Sequence, residues 1–126
     1  MIKFKKVHED ERGEICVLTD EDWKDLKEIT ILTTWAGFAR GGSIHDMHDE
    51  ICLVVEGRIE YHMRGFMEIL DKGDRTLVPS GVPHYFKSLT DSTVIEYGAT
   101  PEEKQVKDPE VRQLVDEINK NRMERK

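Results

Sequence analysis

The feature that most limits what this chain can become is a succession of short apolar runs, each bounded by glycine, proline or acidic turn residues. IKFKKV, EICVL, ITILTTWA, ICLVVE, RIEYHM, DRTLVP, HYFKS and TVIEYG follow one another along the first hundred or so residues. Each is short, and most are rich in the β-branched and aromatic residues that fit a pleated surface. Many short strands joined by tight turns must close on themselves or stack in two layers. The pattern therefore predicts an all-β fold, a small antiparallel barrel of about six to eight strands.

Two segments break the pattern. TDEDWKDL reads as a short helical turn, with Thr19 or Asp20 able to cap its free N–H groups. From Pro101 the texture changes: ATPEEKQVK reads as a charged connector, and in DPEVRQLVDEINKNRMERK the residues Val111, Leu114, Val115 and Ile118 recur at helical spacing. Asp108 followed by Pro109 is a helix start, because proline lacks only an N–H that the first turn leaves unbonded anyway. The stripe of about two turns predicts a helix packed on its own barrel or on a second subunit, with a frayed, solvated basic tail. Residues 1–100 thus read as the barrel, and 101–126 as a connector and C-terminal helix of the same domain.

The chain has 126 residues, room for one domain, with 26 acidic and 19 basic side chains and a net charge of −7. The basic residues are scattered, so a phosphate backbone would be repelled and no nucleic-acid partner is expected. No apolar run approaches membrane-spanning length, and MIKFKKVHEDERG has no apolar export segment. Cys16 and Cys52 lie in strand-like runs without framework spacing, which favours reduced thiols and a cytoplasmic location. Abundant charge with only four amides, Gln105, Gln113, Asn119 and Asn121, leans towards heat adaptation. The apolar N-terminal run Ile2, Phe4, Val7 reads as an edge strand needing cover, so a homodimer is expected.

Chemistry concentrates in two punctuated segments. The first runs Gly37, five residues, Ser43, Ile44, His45, four residues, Glu50, six residues, Gly57. The second runs Gly73, five residues, Pro79, Ser80, Gly81, two residues, His84, three residues, Ser88. Together they resemble the paired signature of the cupin superfamily, G-x5-H-x-H-x4-E-x6-G and G-x5-P-x-G-x2-H-x3-N, over residues 37 to 88. Two positions depart: the first histidine is Ser43, and the closing asparagine is Ser88. The resemblance implies a double-stranded β-helix, a single-domain RmlC-like jelly-roll barrel with a polar mouth for a small-molecule ligand. It also implies a divalent ion, iron, manganese, zinc or nickel, at His45, Glu50 and His84.

The local physics agrees. Strand side chains alternate, so Glu50, Cys52 and Val54 share one face. A carboxylate pointing into a barrel is costly unless a cation or hydrogen-bond donors receive it, and two imidazoles with one carboxylate suit iron or manganese. A cupin that has lost its metal would keep the same three residues. His48 reads as a loop residue, the alternative being a substitute for the missing histidine. Cys52 reads as a small buried hydrophobe first and a ligand second. His8 and His62 are expected in solvent, and Trp35, Tyr61 and Phe86 as core before pocket.

Asp10, Glu11, Arg12, Gly13 upstream, and Arg40-Gly41 ahead of the His-bearing loop, are similar to the layout of cupins that isomerise or epimerise nucleotide-linked deoxysugars. Three readings follow. In one, a metal held by His45, Glu50 and His84 polarises an oxygen of a small ligand. In the second, a metal-free isomerase or epimerase uses His45 or His84 as base, and Arg40 helps to hold a diphosphate. In the third, the barrel is a sensor or binding module without turnover.

Overall fold

The apolar alternation is realised as antiparallel strands in a computed structural model that describes residues 2–22, 28–45, 48–98 and 105–125. In chain order the described strands are β1 (Ile2–Asp10), β2 (Gly13–Asp20), β3 (Ile29–Thr34), β4 (Ala39–Gly41), β5 (Ser43–His45) and β6 (Glu50–Glu56). They continue as β7 (Arg58–Met63), β8 (Phe66–Asp71), β9 (Arg75–Val78), β10 (His84–Ser88), β11 (Ser92–Tyr97) and β12 (Gln105–Lys107), before helix α1 (Pro109–Arg125). A six-stranded sheet has the order β1-β2-β3-β11-β6-β9, a four-stranded sheet the order β4-β10-β7-β8, and β5 pairs with β12. Every pairing is antiparallel.

The inner faces of the two larger sheets meet. Leu32, Cys52, Val54, Val78 and Val94 come from one; Ile59, Tyr61, Leu70 and Phe86 come from the other. This is the all-β jelly roll with a C-terminal helix. At the β6–β7 corner Gly57 has φ +88°, and a Cβ there would collide with the Asp91 carbonyl, so the position takes glycine.

The described strands outnumber the about six to eight expected for a barrel of this kind. The additions β4, β5 and β12 have three residues each, too few to show alternation. β12 lies within the segment read as a charged connector, where Lys107 pairs with Ser43 and Val106 with Ile44. β8 follows a two-residue turn, Arg64-Gly65, with φ of 41° and 72°. Both positive values match the hairpin turn whose twist suits the flanking strands. Of TDEDWKDL, Thr19 and Asp20 end β2, Asp20 accepting the Asp22 N–H at 3.0 Å. The rest of the expected helical turn, residues 23–26, lies outside the described residues.

Helix α1 starts where expected: the Asp108 carboxylate accepts the Val111 N–H at 3.0 Å. Its inward contact is narrower than the sequence stripe, because Val115 is buried while Leu114 is 45% exposed. The basic tail is helical through Arg125 rather than frayed. Arg122 Nε donates to the Ala36 carbonyl at 2.8 Å, and its guanidinium lies 4.9 Å from the Phe38 ring centre. One turn earlier, the Asn119 amide accepts from the Ala39 N–H at 2.7 Å and donates to the Ala39 carbonyl at 3.1 Å. It does for the edge strand β4 what a neighbouring strand would do.

Candidate functional site

The second glycine-proline segment clamps the first. The Gly81 N–H donates to the His45 carbonyl at 2.8 Å, the Ser80 hydroxyl to the same oxygen at 3.2 Å, and the Ser80 N–H to the Asp49 carboxylate at 2.9 Å. The Pro79–Gly81 turn therefore holds both ends of the loop between His45 and Glu50, with His84 starting the next strand.

His45 Nε2 stands 3.0 Å from Glu50 Oε2, and both side chains are at most 10% exposed. His84 is buried; its ring lies nearly parallel to that of His45, with centres 6.4 Å apart. Its Nδ1 is 2.9 Å from the Val82 carbonyl, which can only accept, so Nδ1 carries the proton and the Nε2 lone pair is left for the lumen. Burial is the main cause that pulls the His84 pKa below the usual value; the Val82 bond and the Glu50 charge oppose it. His84 is thus a neutral imidazole at neutral pH, the form that binds a metal or takes up a proton.

The spacing of His45 and Glu50 fits a shared ion, since two bonds of about 2.1 Å at a right angle put their donors about 3 Å apart. Among the described residues no group of three or more His, Cys, Asp or Glu side chains stands ready to hold a metal ion. The fit is thus that of a donor pair with a third imidazole one ring away. Ser43 shares a strand face with His45 by alternation. His48 is half-buried on the loop between β5 and β6.

Arg40 lies elsewhere. It is buried; its Nε donates to Thr34 Oγ1 at 2.8 Å and its Nη2 to the Thr33 carbonyl at 3.3 Å. Burial, with the Arg12 charge, lowers the Arg40 pKa to about 10. Arg12 is itself tied to Asp10 in the β1–β2 turn, Nη2 to Oδ2 at 2.7 Å. The arginine singled out beside the His-bearing loop thus braces β4 against β3 with these donors, and its charge also bears on Glu96.

Among the described residues the interior contains a further carboxyl, Glu96 on β11, which sequence reasoning missed. It is half-buried and faces the lumen opposite Cys52. Burial, and then the Glu50 charge, push its pKa up to about 8, with His45 and Arg40 pulling the other way. Cys52 is buried, and burial raises its thiol pKa well above the ordinary value, so it behaves as an apolar filler. Tyr61 is stacked between His84 and Phe86, with ring centres 6.3 Å away on each side. Its hydroxyl is buried without a hydrogen-bond partner. Alternation in STVIEY puts Glu96 on one face with Ser92 and Val94, the available signal, but each face of that run mixes polar and apolar residues, so neither declares itself the inner one.

Of the other histidines, His8 is exposed and reaches Asp10 at 2.9 Å, while His62 is half-buried rather than solvated. It contacts Glu60 at 2.7 Å and stacks on Tyr85 with ring centres 4.4 Å apart. Trp35 is 45% exposed and so is not core.

Comparison with known proteins places this geometry. No curated protein matches the sequence. Among solved structures, the capsular polysaccharide assembling protein CapF from Staphylococcus aureus superposes with a TM-score of 0.71 and 18% identity over 84% of this chain. This chain spans only about a third of that protein, 34%. KdgF from a Halomonas species gives 0.66 and 21%, covering 78% of this chain and 87% of the other. An RmlC-like cupin from Shewanella frigidimarina gives 0.65 and 19%, covering 79% and 87%. Such identities speak for the fold. A family model described as a cupin domain matches residues 33–96, more than half of the chain and both of its histidine-bearing segments, and by that match the chain belongs to the cupin family.

Proposed function

We propose that the protein binds a small oxygenated, sugar-like ligand at the barrel mouth, through a divalent first-row ion held by His45, Glu50 and His84. The observation that carries this reading is the 3.0 Å pairing of His45 with Glu50 beside a neutral His84 whose Nδ1 is fixed by the Val82 carbonyl. A bound ion would polarise a carbonyl, hydroxyl or carboxylate oxygen of the ligand. The protein's own part is to orient two imidazoles and a carboxylate, to keep His84 neutral, and to wall the site with Tyr61 and Cys52. Iron or manganese suits this donor set, with zinc and nickel as alternatives.

The test is calorimetric titration of iron, manganese and zinc into chelator-stripped protein. Wild type is expected to bind; His84→Ala is expected to abolish binding with its unfolding transition retained. Ser43→His, which restores an imidazole on the His45 face, is expected to tighten binding about tenfold. Equal affinities in all three proteins refute the metal reading.

The same His45–Glu50 contact favours a second reading, a metal-free isomerase or epimerase in which a carboxylate orients the base His45. Arg40, turned to Thr34, gives that reading no support as a diphosphate holder. A binding module without turnover uses the same pocket and differs only in lacking a reaction.

We also propose a homodimer formed through the outer face of the six-stranded sheet. Phe4, Leu18, Ile29, Tyr97, Ile51 and Leu77 stand opposite one another in a single row across all six strands. Phe4 is 62% and Leu77 51% exposed. A continuous apolar row of this kind is what a second copy would cover. No described helix is long and apolar enough to cross a membrane.

A further inference from the structure

The inward residues of the six-stranded sheet fall into layers of opposite character. Thr30, Glu96, Cys52 and Thr76 face one another across β3, β11, β6 and β9. The next layer towards Thr34 is Leu32, Val94 and Val54, all buried and apolar. Glu96 therefore stands at the edge of the dry core, one layer below Glu50 on the inner face of the sheet. Its carboxyl takes part in no hydrogen bond among the described residues, although the charges of Glu50, His45 and Arg40 all bear on it. Across the lumen, the Tyr61 hydroxyl is buried and unpartnered, and Glu96 is the charge that bears on it most.

A buried donor left unsatisfied, as the Tyr61 hydroxyl is, is unfavourable for folding alone, and such a group marks a place where a ligand supplies the missing partner. The geometry points to Glu96 as a ligand-binding residue, accepting a hydrogen bond from a hydroxyl of a neutral polyhydroxylated ligand while the Tyr61 hydroxyl donates to a neighbouring oxygen of the same molecule. This rests on the barrel-mouth ligand proposed above and narrows its class. Glu50 and Glu96 are both acids, and the inward cation Arg40 is turned to Thr34. A hydroxyl can both donate to and accept from a carboxyl, whereas a carboxylate group of a ligand can only accept and would leave the carboxyl's acceptor oxygen unpaired.

Galactose and galacturonate share a ring and differ in one carboxylate, so they separate the two ligand classes. Their binding is measured by calorimetry and saturation-transfer NMR on wild type and on Glu96→Leu, Glu96→Gln, Tyr61→Phe and His84→Ala, alongside each thermal midpoint. The expected result is that wild type binds galactose in preference to galacturonate. Glu96→Leu is expected to weaken galactose binding about tenfold or more, while Glu96→Gln, which keeps an acceptor, stays within about threefold. The midpoint of Glu96→Leu should not fall, which separates a ligand role from a structural one.

Galactose binding equal in wild type and Glu96→Leu overturns the Glu96 role. If His84→Ala still abolishes it, the barrel-mouth reading survives. A preference for galacturonate, or binding of neither sugar by wild type, overturns the neutral-ligand assignment and leaves the site to the metal titration.

Discussion

Replacing Asn119 by alanine should loosen the helix from the barrel, by an amount that follows from two hydrogen bonds. The Asn119 amide meets both the N–H and the carbonyl of Ala39, at 2.7 and 3.1 Å, and Ala39 is fully buried. Truncation removes both bonds and strands a peptide donor and acceptor on the edge of the four-stranded sheet. A net bond contributes about 1 kcal/mol, and a buried group left unpaired costs about 1–3 kcal/mol. Water entering from the half-exposed helix side will offset part of this, so the expected loss is about 2–4 kcal/mol. For a chain of this size that lowers the melting midpoint by roughly 10 °C.

Urea unfolding at neutral pH, followed by circular dichroism and tryptophan fluorescence, measures the change. Asn119→Asp should retain the acceptor but lose the donor, and present a charge to the Ala39 carbonyl, so it should rescue little. Lys120→Ala, at an exposed neighbouring position, should stay within about 0.5 kcal/mol. A loss below about 0.5 kcal/mol for Asn119→Ala, with an unchanged denaturant slope, would refute the idea that this amide replaces a strand.

Two further outcomes are expected. The Glu96 carboxyl, raised from the ordinary 4.5 to about 8 chiefly by burial, binds its proton more tightly folded than unfolded. Its contribution to stability is therefore full below the unfolded value and is lost as pH rises through about 8, and Glu96→Gln should flatten that decline in urea midpoints taken between about pH 5 and 9. Parallel profiles for the two proteins would contradict it. Phe4→Glu puts a charge into the apolar row of the outer sheet and should convert a dimer into a monomer by light scattering at micromolar concentration; a monomeric wild type would remove the dimer proposal.

What the sequence determined by itself is local. Period-two alternation in ICLVVE and RIEYHM specifies strands and faces. Gly57 marks the corner between them, and Asp108-Pro109 marks the start of α1 to the residue, because each depends on backbone geometry within a few positions. The spacing of His45, Glu50 and His84 was readable for the same reason, being counted along two strand-turn units. Tertiary structure decided everything that depends on which strand lies beside which. β5 and β12 are strands only because they pair with each other across some sixty residues. Glu96 is a lumen residue because β11 lies between β3 and β6, a placement that the two nearly equal faces of STVIEY could not express. Arg40, adjacent in sequence to the His-bearing loop, directs its donors to Thr34 and the Thr33 carbonyl, partners six and seven residues back that only the folded sheets bring within its reach. Alternation is a property of one strand, whereas the pairing that aims Glu96 and Arg40 is a free energy shared among strands far apart in the chain.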